Sequence, residues 1–134
     1  MTPFLFAAIA AASHVPAEPV IGVWMNPKGT VAVRTEHCGT GICGRVVWAA
    51  PAAIEAAEAG GTPRLVGTEA LHDFRPAGPG RWEGQAFVAD LGQTVDSEMV
   101  QLGPDLLQID GCALGGFLCK KQVWHRTAAA PPRR

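Results

Sequence analysis

The sequence predicts an all-β protein, an antiparallel up-and-down barrel of about eight strands with one short helix. Three observations support this. Short segments recur in which apolar and polar residues alternate with the period of two that a half-buried strand shows. Gly and Pro contribute 16 and 11 residues, which indicates frequent turns. The breaks between segments are mostly of hairpin length, which favours antiparallel pairing of neighbours in sequence.

The strand assignments follow from alternation bounded by turn residues. Val31, Val33 and Thr35 alternate with Arg34 and Glu36, which predicts one buried and one solvated face. The predicted strands are 20–25, 30–37, 42–49, 65–73, 81–90, 94–102, 106–111 and 121–127. Sequences typical of turns separate them, including Asn26 to Gly29 and Pro76 to Gly80.

One segment between the third and fourth strands differs. Pro51 opens a run of strong helix formers that extends to Ala59, and Gly60 and Gly61 follow it. Proline is favoured in the first turn of a helix and glycine just after the last. The sequence therefore predicts a short helix over 51–59.

The strand edges favour a closed barrel, with a β-sandwich as the alternative. Exposed edges of antiparallel strands must be covered, and closure removes them altogether. The distinction bears on function, because an eight-stranded barrel is either filled by its own side chains or holds one small ligand.

Size and charge exclude several classes of protein. A chain of 134 residues is long enough for one domain. Its 11 basic and 12 acidic side chains give a net charge of −1, and no long basic run is present. A phosphate-binding face is therefore not expected, and nucleic acid is not a predicted partner.

The amino terminus resembles a targeting segment. Phe4 to Ala12 is an unbroken apolar run, too short for the roughly 20 residues that span a bilayer. It fits a signal peptide over 1–17 with cleavage after Ala17, although no Lys or Arg precedes it; a buried helix is the alternative. We expect a periplasmic or secreted protein with a barrel domain over 18–127, a flexible tail over 128–134 and no transmembrane segment in the mature chain.

Four cysteines predict two disulfides in an oxidising compartment. The simplest pairing joins Cys38 to Cys43 and Cys112 to Cys119, each across a short loop. Zinc is the alternative, since His37 adjoins Cys38, but neither pair has the C-x2-C spacing of structural zinc sites. The sequence predicts no metal and no cofactor.

An ordered set of glycines, cysteines and tryptophans resembles a known family. It comprises Gly22-Val23-Trp24, Cys38-Gly39, Ile42 to Trp48, Arg81 to Gly84, Gly111-Cys112 and Gln122 to Arg126. The set, spread over residues 19–126, is similar to the DUF2147 family of small exported bacterial proteins. The resemblance implies an envelope protein of unknown biochemical role with a lipocalin-like (calycin) barrel, and it supplies no catalytic residues. The chain lacks the tyrosines usual in the family, because it contains no Tyr.

The same resemblance implies a structural contact at the barrel floor. Lipocalin-like barrels commonly begin with Gly-x-Trp and cross that Trp with an Arg from the last strand. Gly22, Trp24 and Arg126 match this arrangement by position. An indole face attracts a guanidinium group, so the contact would stabilise the fold. The alternative is that the two side chains never meet.

The predicted function is binding of a small, largely apolar molecule inside the barrel, with Trp48, Trp82 and Phe87 as wall residues. The alternative is a filled barrel that acts through its surface as an envelope interaction or stress-accessory protein. An enzyme is not expected. Ser97 has no nucleophile motif around it, Asp96 and Glu98 should face solvent, and His37, His72 and His125 are scattered.

Overall fold

The computed structural model describes residues 20–113 and 118–128. Within these ranges the elements are β1 Gly22–Met25, β2 Val31–Cys38, β3 Gly41–Ala49, α1 Pro51–Ala59, β4 Glu69–Gly78, β5 Arg81–Val88, β6 Gln93–Gly103, β7 Leu106–Ala113 and β8 Leu118–Thr127. Each strand pairs antiparallel with the next, and β1 pairs antiparallel with β8. The predicted barrel with one short helix is confirmed, and the sandwich alternative is wrong.

The up-and-down topology gives the barrel two distinct ends. The β1–β2 turn, helix α1, the β5–β6 turn and the β7–β8 connection lie at one, which we call the open end. The segment before β1 and the β2–β3, β4–β5 and β6–β7 turns lie at the other, which we call the closed end. The connection that holds α1 is the longest between described strands, and it gives the open end a helical cover.

The core is densest toward the closed end. The largest side chains that are fully buried include Trp24, Phe74, Met99 and Leu107. Phe74 lies opposite Ile42 next to the β2–β3 turn, and Leu107 lies near the start of β7. Bulky apolar side chains from several strands therefore meet across this half of the barrel and fill it.

Trp24 and Arg126 join the first and last strands at the closed end. The two residues are register partners, and the Arg126 Cζ atom lies 4.4 Å from the centre of the Trp24 ring, which is the contact that the family resemblance implies. Arg126 Nη1 donates to the Ile21 carbonyl and Nε to the Pro104 carbonyl, both at 2.9 Å. The guanidinium group thus holds the chain before β1 and the β6–β7 turn against the indole.

Gly22 is needed where Arg126 crosses β1. Its φ angle of 153° is one that residues with a side chain rarely adopt. A Cβ atom at this position would overlap Arg126 Nη1. The glycine of the Gly-x-Trp sequence therefore makes room for the guanidinium group.

The limits of β4 differ from the prediction. Residues 65–68 form a turn rather than the predicted start of the strand, because Gly67 has a φ of 100° and the Thr68 amide bonds back to the Leu65 carbonyl at 3.0 Å. At the other end, Pro76 lies within the strand rather than in the predicted turn. Pairing of β4 with β3 ends at Phe74, so Pro76 lies on a stretch paired only with β5, where its missing N–H costs no ladder bond.

The helix and the cysteines follow the predictions. Helix α1 spans Pro51–Ala59, the predicted bounds, with Pro51 in its first turn. The disulfides join Cys38 to Cys43 and Cys112 to Cys119. Each links two adjacent strands, the first at the closed end and the second at the open end.

The predictions for the termini lie mostly outside the described residues. The signal peptide over 1–17 and its cleavage after Ala17 fall before Val20, and the tail over 128–134 is described only at Ala128. No helix in the described ranges is long and apolar enough to cross a membrane.

Candidate functional site

The open end of the barrel contains a cavity of about 690 Å³. Its walls are mainly aliphatic and come from strands all round the barrel. They include Val33, Val46, Leu71, Val95, Ile109 and Trp124. The volume lies within the roughly 300 to 1,000 Å³ of pockets that hold small organic molecules.

The cavity exists because interior side chains become smaller along β5, β6 and β7 toward the open end. At the closed end Trp82 lies opposite Met99. Further along, the interior positions of these strands hold Gly84, Ala86, Ser97 and Gly111. The last three of these line the cavity. Their side chains are too short to meet across the barrel, so the lumen stays open at this end.

Helix α1 covers one side of the open end with alanines. Ala53, Ala56 and Ala57 face the cavity, and Ala57 is almost completely buried. The segment after the helix is attached to the β5–β6 turn, since the Thr62 hydroxyl donates to the Ala89 carbonyl at 2.8 Å. A helix face of small residues closes the side of the lumen without filling it.

Polar groups enter the lumen on β8 and at the mouth. Lys120, Gln122 and Trp124 occupy successive interior positions of β8, opposite Gly111, Ile109 and Leu107. The Trp124 Nε1 group donates to Gln122 Oε1 at 2.7 Å. At the β1–β2 turn, Lys28 also lines the cavity. The lumen therefore changes from apolar in its depth to polar and cationic at its mouth.

The predicted wall residues fall in three different places. Phe87, at the open end of β5, lines the cavity and also a shallow outer groove of about 300 Å³. Trp82 packs against the filled core at the closed end, and half-buried Trp48 lies opposite Ala32. Among the described residues neither of these two tryptophans lines the cavity, whereas Trp124 does. Alternation along a strand indicates which side chains face inward but not how far along the barrel axis they lie.

Ser97 and its neighbours are arranged as the alternation predicts. Ser97 is buried and faces the lumen, whereas Asp96 is exposed. The Ser97 hydroxyl donates to the Asp110 carbonyl at 2.5 Å. This bond satisfies the hydroxyl within the sheet, as is usual for a buried serine.

His37, His72 and His125 are exposed, and a group of residues with metal-ligating atoms lies at the β2–β3 hairpin. His72 Nδ1 lies 3.3 Å from Glu69 Oε1, and both residues are in the shallow outer groove. Glu36, Cys38 and Cys43 bring their ligand atoms within 4.8 Å of one another. Both cysteines of that group are in a disulfide, so neither offers the thiolate that zinc binding requires.

The family assignment rests on most of the chain. A family model described as "Uncharacterized protein conserved in bacteria (DUF2147)" matches residues 22–126. The chain belongs to the DUF2147 family. The match begins at Gly22 and ends at Arg126, the two residues that meet at the closed end, so it includes all eight strands except the last residue of β8.

A solved structure supports the fold of this DUF2147 protein. HP1028 from the human pathogen Helicobacter pylori, described as belonging to the lipocalin family, superposes with a TM-score of 0.60 at 14% sequence identity. The similarity covers 81% of this chain and 83% of HP1028. At this identity the likeness establishes a lipocalin-like barrel and nothing further. No curated protein matches the sequence.

Proposed function

We propose that this DUF2147 protein binds a small, largely apolar molecule in the lumen at the open end of its barrel. The cavity of about 690 Å³ carries the proposal. A barrel that acted only through its surface would have no need of small interior residues at one end. The lipocalin-like fold also supports the proposal, because barrels of this size are able to hold one small ligand.

The two disulfides support a location outside the cytoplasm, where such bonds form and persist. We infer that the protein is exported to the periplasm or secreted after cleavage behind Ala17. The expected result is an exported protein whose amino-terminal residue is Glu18, determined by intact mass or Edman sequencing. A protein that retains Met1 after export would contradict this.

Binding without turnover is the proposed mode of action. The Ser97 hydroxyl is the one serine hydroxyl in the described chain, and it is held by the Asp110 carbonyl. A ligand carrier releases the molecule it took up. Mass spectrometry of a bound ligand after long incubation should therefore recover it unchanged.

Saturable uptake of a hydrophobic fluorescent probe tests the lumen directly. We expect one probe per barrel and a rise in Tm at saturating probe, because a ligand that binds only the folded state stabilises it. Ala86→Leu places a larger side chain in the cavity and should weaken probe binding at least tenfold. Gln85→Leu is the matched control, since residue 85 is exposed on the outer face of the same strand. Equal probe affinity in the two variants would contradict a luminal site.

A further inference from the structure

Three charged residues line the cavity among the described residues: Lys28, Asp90 and Lys120. The chain contains three lysines in all, and two of them are in this set. The protein as a whole carries a net charge of −1, yet these three side chains sum to one positive charge. The mouth of the lumen is therefore locally opposite in sign to the whole molecule.

Neither lysine at the mouth forms a salt bridge within the described part of the protein. Salt bridges elsewhere in these ranges pair His72 with Glu69, Arg75 with Asp73, Arg81 with Glu98 and Arg126 with Asp105. None of them involves Lys28 or Lys120. Both ammonium groups are thus available to an anion that enters from solvent.

The inward-facing side chains of β8 change from apolar to charged between the depth of the lumen and its mouth. Trp124, Gln122 and Lys120 are alternate residues on one strand, so each step moves about 6 to 7 Å toward the mouth. The disulfide between Cys112 and Cys119 fixes the β7–β8 pair immediately beside Lys120. The indole of Trp124, the amide of Gln122 and the ammonium group of Lys120 thus follow one another along a strand that a disulfide links to its neighbour.

We propose that the ligand is an amphiphile whose apolar part occupies the lumen and whose singly charged anionic head lies between Lys28 and Lys120. This deepens the proposed function and rests on it. The aliphatic walls favour the apolar part, and two ammonium groups favour a carboxylate or another anionic oxygen group as the head. Asp90 opposes additional negative charge, so a head with one charge fits better than one with several.

A set of ligands that differ only in the head group tests this inference. The probes are a straight-chain carboxylate, its alcohol, its monophosphate ester and its trimethylammonium, all of one chain length, competing against the fluorescent probe. We expect the carboxylate to bind about three- to tenfold more tightly than the alcohol and the trimethylammonium to bind most weakly. The monophosphate arm distinguishes a carboxylate from a phosphate source of the same anionic chemistry. Added salt should reduce the preference for the anion.

Lysine variants identify the groups responsible. Lys28→Gln and Lys120→Gln should each reduce the preference for carboxylate over alcohol about two- to fivefold, and the double variant should abolish it. Lys121→Gln is the matched control, because residue 121 is next in sequence but faces outward opposite Asp110 and does not line the cavity. Alcohol affinity should be the same in all variants, which shows that each remains folded.

The outcomes separate this inference from the proposed function. Equal binding of the carboxylate and the alcohol would overturn the anionic head but leave luminal binding intact. Absence of saturable probe binding to the wild-type protein would overturn both, whereas probe binding that no carboxylate displaces would overturn the anionic amphiphile alone. A carboxylate preference that survives in the double lysine variant would overturn the assignment of the head group to Lys28 and Lys120.

Discussion

The two ends of this barrel are built from the same eight strands but differ in how their interiors are filled. At the closed end Trp24, Phe74, Met99 and Leu107 are completely buried and fill the interior. At the open end the interior positions of β5, β6 and β7 hold small residues, and a cavity of about 690 Å³ remains. Fold stability and ligand capacity are therefore separated along the barrel axis, and substitutions at the two ends should have separable effects.

The largest expected difference is between two tryptophans. Trp24→Ala removes an indole that is fully buried in a filled core, which should lower the free energy of unfolding by about 3–5 kcal/mol. Trp124→Ala should cost about 1–2 kcal/mol less, because one side of that indole already faces the cavity and has fewer packing contacts to lose. Urea denaturation of the two variants measures both values.

For ligand binding, Trp124→Ala should have the larger effect and Trp24→Ala the smaller, the reverse of their order for stability. Trp124→Ala alters the wall of the lumen and should weaken probe binding, whereas Trp24→Ala should leave it unchanged under conditions in which the variant is folded. A stability loss for Trp124→Ala as large as that for Trp24→Ala would show that side chains lining the lumen contribute as much to fold stability as those of the filled core. The separation of the two ends would then be wrong.

Much of this architecture was predictable because its signals are local. Period-two alternation and turn residues identified the eight strands in order, and Pro51 with Gly60 and Gly61 bounded the helix. The limits of β4 were not predictable in this way. Leu65 and Val66 suit a strand, but Gly67 adopts a positive φ that only the packing of this loop against β3 reveals.

The residues that line the cavity are harder to predict from the sequence than the strands are. Whether an inward side chain fills the core or lines the lumen depends on its height along the barrel axis, which depends on the stagger of neighbouring strands. Trp82 and Trp124 both face inward, yet the first is at the filled end and the second lines the cavity. Nothing in the sequence identifies Lys120 as a residue of the lumen; its position follows only from the pairing of β7 with β8, which places it opposite Gly111.

The two disulfides lie at opposite ends of the barrel and should contribute similarly to stability. Replacing either cysteine pair by alanine should lower the free energy of unfolding by about 2 kcal/mol, because both loops are short. Their effects on binding should differ. Loss of the bridge between Cys112 and Cys119 frees the strand pair that carries Lys120 and should weaken binding of the carboxylate, whereas loss of the bridge between Cys38 and Cys43 should not. Equal affinities for the carboxylate in the two double variants would indicate that the disulfide between Cys112 and Cys119 is not needed to position Lys120.

The smallest expected effect concerns Arg126 at the closed end. Arg126→Ala removes the contact with the Trp24 ring and the bonds to the Ile21 and Pro104 carbonyls, and should lower the free energy of unfolding by about 1–2 kcal/mol. Arg126→Lys keeps the positive charge but not the planar group that bonds two carbonyls at once, so it should recover only part of this loss. Arg34→Ala, at an exposed position of β2, is the control and should change stability by less than about 0.5 kcal/mol.

Probe affinity decides what a result at Arg126 means. Because the guanidinium group lies at the end of the barrel away from the lumen, all three arginine variants should bind the probe as the wild-type protein does. If Arg126→Ala kept its stability but lost the probe, the closed end would communicate with the cavity through β8, the strand that carries both Arg126 and Lys120. If it lost stability alone, the indole and the guanidinium group would serve only to hold the first and last strands together, and the lumen could change its ligand without changing how the barrel closes.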